Sequence, residues 1–330
     1  MILVVSEADD DHARAVLDRL ERRGVAARLL DTSAFPQRLS LSMTYARTDP
    51  DGTGADGDDE PALHARLGDL ELADCGAVWW RRPQPFDLSP ELTGNVDRSF
   101  AYRECQAAIG GLWRTLDAEW MNHPTHDEEA ARKPYQLRVA QQIGFEIPET
   151  CITNDPARAQ AFVDAHGASK TMYKAFTGTE AAWRETRVLR DGETDVIAAV
   201  RHAPVIFQEY VPAGVDLRIT VVDGEVFPAE IHSQETAYPV DYRMNVDRAR
   251  VEPADLPDDI RDRLREYVDR LGLVYGAIDM RRRPDGQHVF LEINPSGQWL
   301  FMEERTGQPI TETVARVLAE ADAQTPPARH

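Results

Sequence analysis

The segment from Val274 to Trp299 constrains this chain most, because it reads as two strands whose facing side chains carry oxygen. Val274-Tyr275-Gly276-Ala277-Ile278-Asp279-Met280 and Val289-Phe290-Leu291-Glu292-Ile293 are joined through the turn Arg283-Pro284-Asp285-Gly286. Successive side chains of a strand alternate faces, so Glu292 and Asn294 share one face while Leu291 and Ile293 point into a core. An antiparallel pairing brings Asp279 beside Glu292 and Asn294. Pro295 and Gly297 end the second strand next to them. Such a set suits Mg2+, which accepts a few carboxylate or amide oxygens and takes its remaining ligands from waters and phosphates. The plainer alternative is a hydrogen-bonded strand end.

The lysines point the same way. Among 37 basic residues only Lys133, Lys170 and Lys174 are lysine. A chain that uses arginine almost everywhere keeps lysine where a slim point charge is needed, and contact with phosphate oxygens is one such place. Lys174 falls in a strand expected over Thr171-Met172-Tyr173-Lys174-Ala175-Phe176, before the flexible Thr177-Gly178-Thr179. Lys133 stands beside Pro134 at the start of an expected helix. Lys170 fits a solvated surface better.

At 330 residues the chain has room for two or three domains. Its net charge of −20 argues against non-specific nucleic-acid binding and against attachment to an anionic membrane. No apolar run approaches the roughly 20 residues of a membrane helix. Met1 to Glu7 is strand-like without a basic flank, so it is not read as a signal peptide. Cys75, Cys105 and Cys151 lack metal or redox spacing and are expected as reduced thiols in a cytoplasmic protein.

The amino-terminal third opens as strand, helix, strand: Ile2 to Ser6, Asp9 to Arg23, and Val25 to Leu30. No dinucleotide-binding glycine pattern follows the first strand. Residues 48–61 form an acidic, Gly/Pro-rich loop. Gly76 to Trp80 is a strand that stops at Arg81-Arg82-Pro83. A helix is expected from Asp97 to Trp120, with Phe100, Ile109, Leu112, Trp113, Leu116 and Trp120 on one inward stripe and a kink at Gly110-Gly111. Met121-Asn122-His123-Pro124 breaks it and marks a boundary. Further on come a helix from Pro134 to Ile143 and another opened by Asn154-Asp155-Pro156. Arg187-Val188-Leu189 is expected to pair with Val196-Ile197-Ala198 across Asp191-Gly192. Val205 to Val211 is a buried strand, 216–222 and 225–231 make a hairpin around Asp223-Gly224, and Asp258 to Leu271 is an amphipathic helix. There are no internal repeats.

In order along the chain, Lys133, Lys174, Gln208-Glu209-Tyr210-Val211, Asp216-Leu217-Arg218, Asp279 and Glu292-x-Asn294 resemble the ATP-grasp superfamily. No P-loop pattern competes with this reading. Asp31-Thr32-Ser33-Ala34-Phe35-Pro36, Leu39-Ser40-Leu41-Ser42, Val78-Trp79-Trp80-Arg81-Arg82-Pro83, Ile231-His232-Ser233-Gln234 and Asn294-Pro295-Ser296-Gly297-Gln298-Trp299 are similar to the microviridin-type peptide maturases, or graspetide synthetases. That resemblance implies an α/β (α+β) chain with a pre-ATP-grasp domain over 1–120. A two-subdomain ATP-grasp fold would follow over 121–204 and 205–330.

It implies ATP and two Mg2+ ions. Lys133 and Lys174 would hold the α- and β-phosphates. Gln208, Glu209 and the backbone of Tyr210 and Val211 would line the adenine, and Asp216 would meet the ribose. Asp279, Glu292 and Asn294 would bind the metals, with Glu292 bridging them, while Arg218 and Arg281 would face the γ-phosphate. The implied substrate is a ribosomal precursor peptide with a leader segment. Its Asp/Glu side chains would be activated as acyl phosphates and closed onto Ser/Thr or Lys as ω-ester or ω-amide rings. A homodimer is also implied. An alternative is a ligase adding an amino acid to a peptide or protein terminus; another is a nucleotide-dependent scaffold without catalysis.

Some readings stay double. His232 is either a proton acceptor for the attacking hydroxyl or a structural hydrogen-bonding group. Arg243 either orients substrate carboxylates or lies in a solvated loop. Trp79-Trp80 is a binding surface or a core-and-interface pair. Arg81-Arg82 meets an acidic peptide or closes a strand-end ion cluster.

Overall fold

The computed structural model describes residues 1–45, 63–176, 187–190, 192–236 and 247–325. The chain divides into two units, Met1–Thr125 with Thr311–His330, and His126–Ile310.

The first unit is built on β1 (Ile2–Val5), α1 (Asp11–Arg22), β2 (Ala27–Leu30), β3 (Leu41–Tyr45), β4 (Leu63–Leu67), β5 (Leu70–Glu71), β6 (Ala77–Trp80), α2 (Asn95–Trp113) and β7 (Glu119–Met121). A parallel sheet runs in the order β2-β1-β6-β7, and β3-β4-β5 form a small antiparallel sheet. β1 is buried on both faces, as central parallel strands are. Asp10 caps α1 by accepting from the backbone of His12, and its other oxygen accepts from Ser6 and from the buried Arg81. Arg81 therefore closes an internal ion cluster. Burial raises the Asp10 carboxyl, but the His12 and Ser6 donors and the Arg81 charge outweigh it and hold the group well below the usual carboxylate range. Trp79 is buried. Trp80 packs edge-on against Trp113 and Trp120.

Two expectations fail in this unit. The helix expected to reach Trp120 ends at Trp113, and Trp120 belongs to β7, paired with Val78 of β6. Leu116 and Trp120 keep helical spacing, yet parallel pairing with β6 captures the segment. Phe100, assigned to the inward stripe, is 66% exposed. The helix runs through Gly110-Gly111 without interruption.

The second unit contains α3 (Pro124–Ala130), α4 (Lys133–Ile143), β8 (Thr150–Thr153), α5 (Pro156–His166), β9 (Thr171–Lys174), β10 (Arg187–Val188), α6 (Thr194–Ala199) and β11 (Val205–Glu209). It continues with β12 (Val215–Val222), β13 (Glu225–Ile231), β14 (Val251–Pro253), α7 (Asp258–Arg270), β15 (Tyr275–Arg282), β16 (His288–Asn294), α8 (Leu300–Thr306) and the start of α9 (Ile310–Gln324). One sheet has the order β10-β9-β11-β8, the other β14-β13-β12-β15-β16. Asp223 and Gly224 both take positive φ (47° and 76°), the geometry of a two-residue hairpin turn. Ile260, Leu264, Tyr267 and Val268 of α7 pack on the five-stranded sheet with Val139 and Ala140 of α4. The expected strand at 196–198 is instead α6. Its Ile197 joins Val200, three residues on, in the core under β11, and β10 pairs with β9. A short apolar run does not by itself distinguish helix from strand.

Residues 48–61, Thr177-Gly178-Thr179, Asp191 and Arg243 lie outside the described residues.

Candidate active site

The acidic ladder forms in the expected register. β15 and β16 are antiparallel with Asp279 opposite Glu292 and Ala277 opposite Asn294. A bulge between Asp279 and Met280 pairs Met280 with Phe290 and skips Leu291. That corrects one assignment: Phe290 and Ile293 enter the core, and Leu291 stays half-buried outside it. The bulge leaves Glu292 beside Asp279.

Lys133, at the first turn of α4, donates from Nζ to Oε2 of Glu292. The contact depends on Gln136, one helical turn further along the same face. This buried amide donates to the carbonyls of Ala130 (2.6 Å) and Ile293 (3.0 Å) and accepts from the Ile293 amide (3.2 Å). It thereby sets α4 against β16. After the strand, the Ser296 amide donates to Oδ1 of Asn294 at 2.9 Å, and the Ser296 hydroxyl reaches Asp127 of α3 at 3.4 Å. Burial pushes the Asp127 carboxyl up to about 6. Gly297 packs so closely that a Cβ there would stand 2.3 Å from Ala277 Cβ and 2.6 Å from Arg218 Nη2.

Asp279, Glu292 and Asn294 thus present only oxygen donors at adjacent ladder positions, and a lysine that can bind phosphate touches one of them. This donor set fits Mg2+ and a polyphosphate better than a soft metal, which would favour sulfur or imidazole.

Beside the ladder lies a buried quartet. β12 pairs with β15 so that Asp216 opposes Arg281 and Arg218 opposes Asp279. Arg281 Nε donates to Asp216 Oδ1 at 2.8 Å, and Arg218 Nη1 donates to Asp279 Oδ1 at 3.0 Å. Two Asp-x-Arg triplets, Asp216-Leu217-Arg218 and Asp279-Met280-Arg281, meet head to tail with every charge facing its opposite. Ser233 completes Asp216 by donating its hydroxyl to the second carboxylate oxygen. Burial raises the Asp216 carboxyl, and Arg281 and Ser233 oppose that. Arg218 also donates to the carbonyl of Gln298 (3.1 Å), and Arg281 to that of Val211 (2.7 Å), with its guanidinium 5.3 Å from the Tyr210 ring. The quartet therefore anchors both the loop after β16 and the segment linking β11 to β12.

The remaining expected residues lie on the smaller sheet and its exit. Lys174 Nζ donates to Gln208 Oε1 at 2.6 Å, and Gln208 Nε2 donates to Thr150 Oγ1 at 3.0 Å. Glu209 exchanges backbone and side-chain contacts with Glu149 and faces Arg283 at 3.4 Å. The Tyr210 amide donates to the Lys170 carbonyl at 2.8 Å. Lys133, Asp279, Glu292, Asn294, Arg218, Arg281 and Asp216 thus cluster on one end of the five-stranded sheet. Lys174 and Gln208 to Val211 form a second group joined to it through Arg281.

His232 follows β13. Its Nε2 faces Glu252 at 3.0 Å and Glu230 at 3.8 Å, while Arg250 and Arg282 neutralise those carboxylates.

Two family models match the chain in tandem: the MvdD pre-ATP grasp domain over residues 1–128 and the RimK-like ATP-grasp domain over residues 130–318. This chain belongs to the RimK-like ATP-grasp family. No curated protein sequence matches it.

Solved structures of similar fold span nearly the whole chain. The macrocyclase MdnC bound with precursor peptide MdnA from Microcystis aeruginosa MRC is 28% identical, with a TM-score of 0.82 over 97% of this chain and 99% of that one. A Chryseobacterium gregarium RiPP-associated ATP-grasp ligase, in complex with ADP and a leader and core peptide, is 25% identical, with a TM-score of 0.84 over 100% and 98%. The ATP-grasp ligase PsnB, complexed with a phosphomimetic variant of its minimal precursor, Mg and ADP, is 25% identical, with a TM-score of 0.77 over 97% and 98%.

Within this candidate site, the sequence pattern misses Gln136, Ser233, Asp127 and the pairing of the quartet. The repeated Asp-x-Arg triplet was the available signal, since two such strands can only satisfy each other antiparallel. Nothing local marks Gln136 or Asp127, because their partners are about 160 residues away in sequence.

Proposed function

We propose that this ATP-grasp chain is a ligase that activates Asp/Glu side chains of a ribosomal precursor peptide and closes them onto Ser/Thr or Lys side chains. The observation that carries the reading is the Lys133–Glu292 contact beside Asp279, a phosphate-binding cation set against a hard-metal ladder. Asp279, Glu292 and Asn294 would hold Mg2+, which when bound neutralises charge on the transferred phosphoryl group. Lys133 and Lys174 hold the α- and β-phosphates, and Gln208 with the Glu209–Val211 segment lines the base.

A peptide carboxylate attacks the γ-phosphorus, the bond to the β,γ-bridging oxygen breaks, and ADP leaves. The acyl phosphate is then attacked at its carbonyl carbon by a hydroxyl or amine, which loses its proton as phosphate departs. His232, with Glu252 at Nε2, is the group we assign to accept that proton. Arg218 and Arg281, paired with Asp279 and Asp216, would add positive charge toward the γ-phosphate. The peptide would carry a leader segment, and the enzyme would act as a cytoplasmic homodimer.

The test is incubation of the chain with ATP, Mg2+ and a Thr- and Asp/Glu-rich peptide encoded beside it. Loss of one water per bond formed, matched by release of ADP and phosphate, is expected. A gain in peptide mass would instead establish amino-acid addition to a terminus, and no peptide-dependent phosphate release would rule out both.

A further inference from the structure

Thr150, Gln208 and Lys174 share one face of the smaller sheet. β11 lies between β9 and β8, and its Gln208 is directly opposite Thr150 of β8. On the other side Lys174 of β9 opposes Ile206, two residues before Gln208 and so on the same face of the strand. Diagonal neighbours of this kind are within reach of long side chains. Phe207, Tyr173 and Cys151 alternate onto the opposite face and pack in the core with α5 and α6.

The hydrogen bonds across this row run in a single direction. A lysine only donates, so the Gln208 atom it meets at 2.6 Å is the amide oxygen. That turns Nε2, which also only donates, toward Thr150 Oγ1 at 3.0 Å. The hydroxyl accepts there and donates its own proton to the Pro148 carbonyl at 2.8 Å. From Lys174 through Gln208 and Thr150 to Pro148, no donor faces a donor. Gln208 is 3% exposed, so water is poorly placed to replace a link. The branched Cβ of Thr150 restricts its χ1, and the hydroxyl is thereby placed by the β8 backbone.

We infer that Thr150 is a positioning residue for the nucleotide: it holds the Gln208 amide in the place and orientation that set the Lys174 ammonium toward phosphate. Thr150 acts only through these two side chains. The inference rests on the reading of Lys174 as a phosphate ligand. An ammonium has three donors, so one fixed bond to Gln208 restricts where the head sits without exhausting its capacity for phosphate. Thr150→Val keeps the branched shape and removes the acceptor. The buried Nε2 then loses its partner, and the amide shifts toward another acceptor, carrying Oε1 away from Lys174.

The test is binding of ADP and of a non-hydrolysable ATP analogue to the full chain with Mg2+, by isothermal titration calorimetry. Thr150→Val should weaken both by about tenfold, whereas Thr150→Ser, which keeps the hydroxyl, should stay within about threefold of wild type. In peptide-dependent phosphate release, KM for ATP should rise in the same proportion while kcat changes by less than about twofold. Lys174→Ala should also weaken binding, and in that background Thr150→Val should have no further effect, because the relay then ends at a missing ammonium. A Thr150 that served the fold alone would lower the denaturation midpoint and leave the two losses additive. Should Thr150→Val fail to fold, Thr150→Ala removes the same acceptor and carries the same expectation. Nucleotide binding as tight as wild type in Thr150→Val, or additive losses in the double variant, would overturn the inference and leave the ligase reading standing. Binding indifferent to Lys174→Ala would remove the phosphate role of that lysine and the inference with it.

Discussion

Arg281 and Glu292 lie on neighbouring strands yet should fail differently when replaced. Arg281 is 5% exposed and holds Asp216, 2% exposed, together with the Val211 carbonyl. Arg281→Met strands a buried carboxylate and should destabilise the chain by about 3–5 kcal/mol, read by denaturant titration. Glu292 is partly open and its oxygens face Lys133. Glu292→Gln keeps the shape and a hydrogen-bonding group, so stability should change by about 1 kcal/mol or less, while ATP turnover falls by about a hundredfold or more. Asp127 gives a pH signature of its own. Its carboxyl, raised by burial from the ordinary 3.8 to about 6, is held preferentially in the protonated form by the fold. The stabilisation is complete below the unfolded pKa and is lost as pH rises through about 6. Asp127→Asn should therefore match wild type near pH 4 and exceed it by about 1–3 kcal/mol above pH 7, measured by denaturation at both pH values.

Among the elements, β16 and the loop that follows it carry the site. The bulge skipping Leu291 keeps Glu292 opposite Asp279 while Phe290 and Ile293 fill the core. Gly297 lets the loop lie against β15, where Tyr275 donates to its carbonyl at 2.8 Å and Arg218 reaches the next carbonyl at 3.1 Å. Gly297→Ala would force a methyl against Ala277 and Arg218, and should cost about 1–3 kcal/mol and reduce ATP turnover. Since the shortest contact is with the Ala277 methyl, Gly297→Ala/Ala277→Gly should recover part of both. Equal losses in the single and double variants would refute this account of the loop.

For the whole molecule, the carboxyl-terminal segment belongs with the first unit. The amino group of Met1 meets Asp322 at 2.8 Å, Arg23 contacts Glu312, and the Thr325 hydroxyl donates to the Gly76 carbonyl at 2.8 Å. Val314, Ala315 and Leu318 are buried. A chain ended at Ile310 should therefore lose protease protection within residues 1–125 at a lower temperature than the second unit unfolds. If both units melted together as in the full chain, the segment would have no such closing role.

Local patterns determined a good part of this protein. Alternation and turn chemistry specified β15, β16 and the β12–β13 hairpin, and 3.6-residue periodicity specified α7. The scarcity of lysine singled out Lys133 and Lys174, both of which contact other expected site residues. These signals are legible because they sit within a few residues of one another. The bulge at Leu291, the end of α2 at Trp113, the helical state of 194–199, the Asp216–Arg281/Arg218–Asp279 quartet and the return of 311–325 to the first unit were decided only in the tertiary structure. Each depends on a partner strand, core or ion from a distant part of the chain, and a local pattern gives a side chain's face without stating what it will meet there.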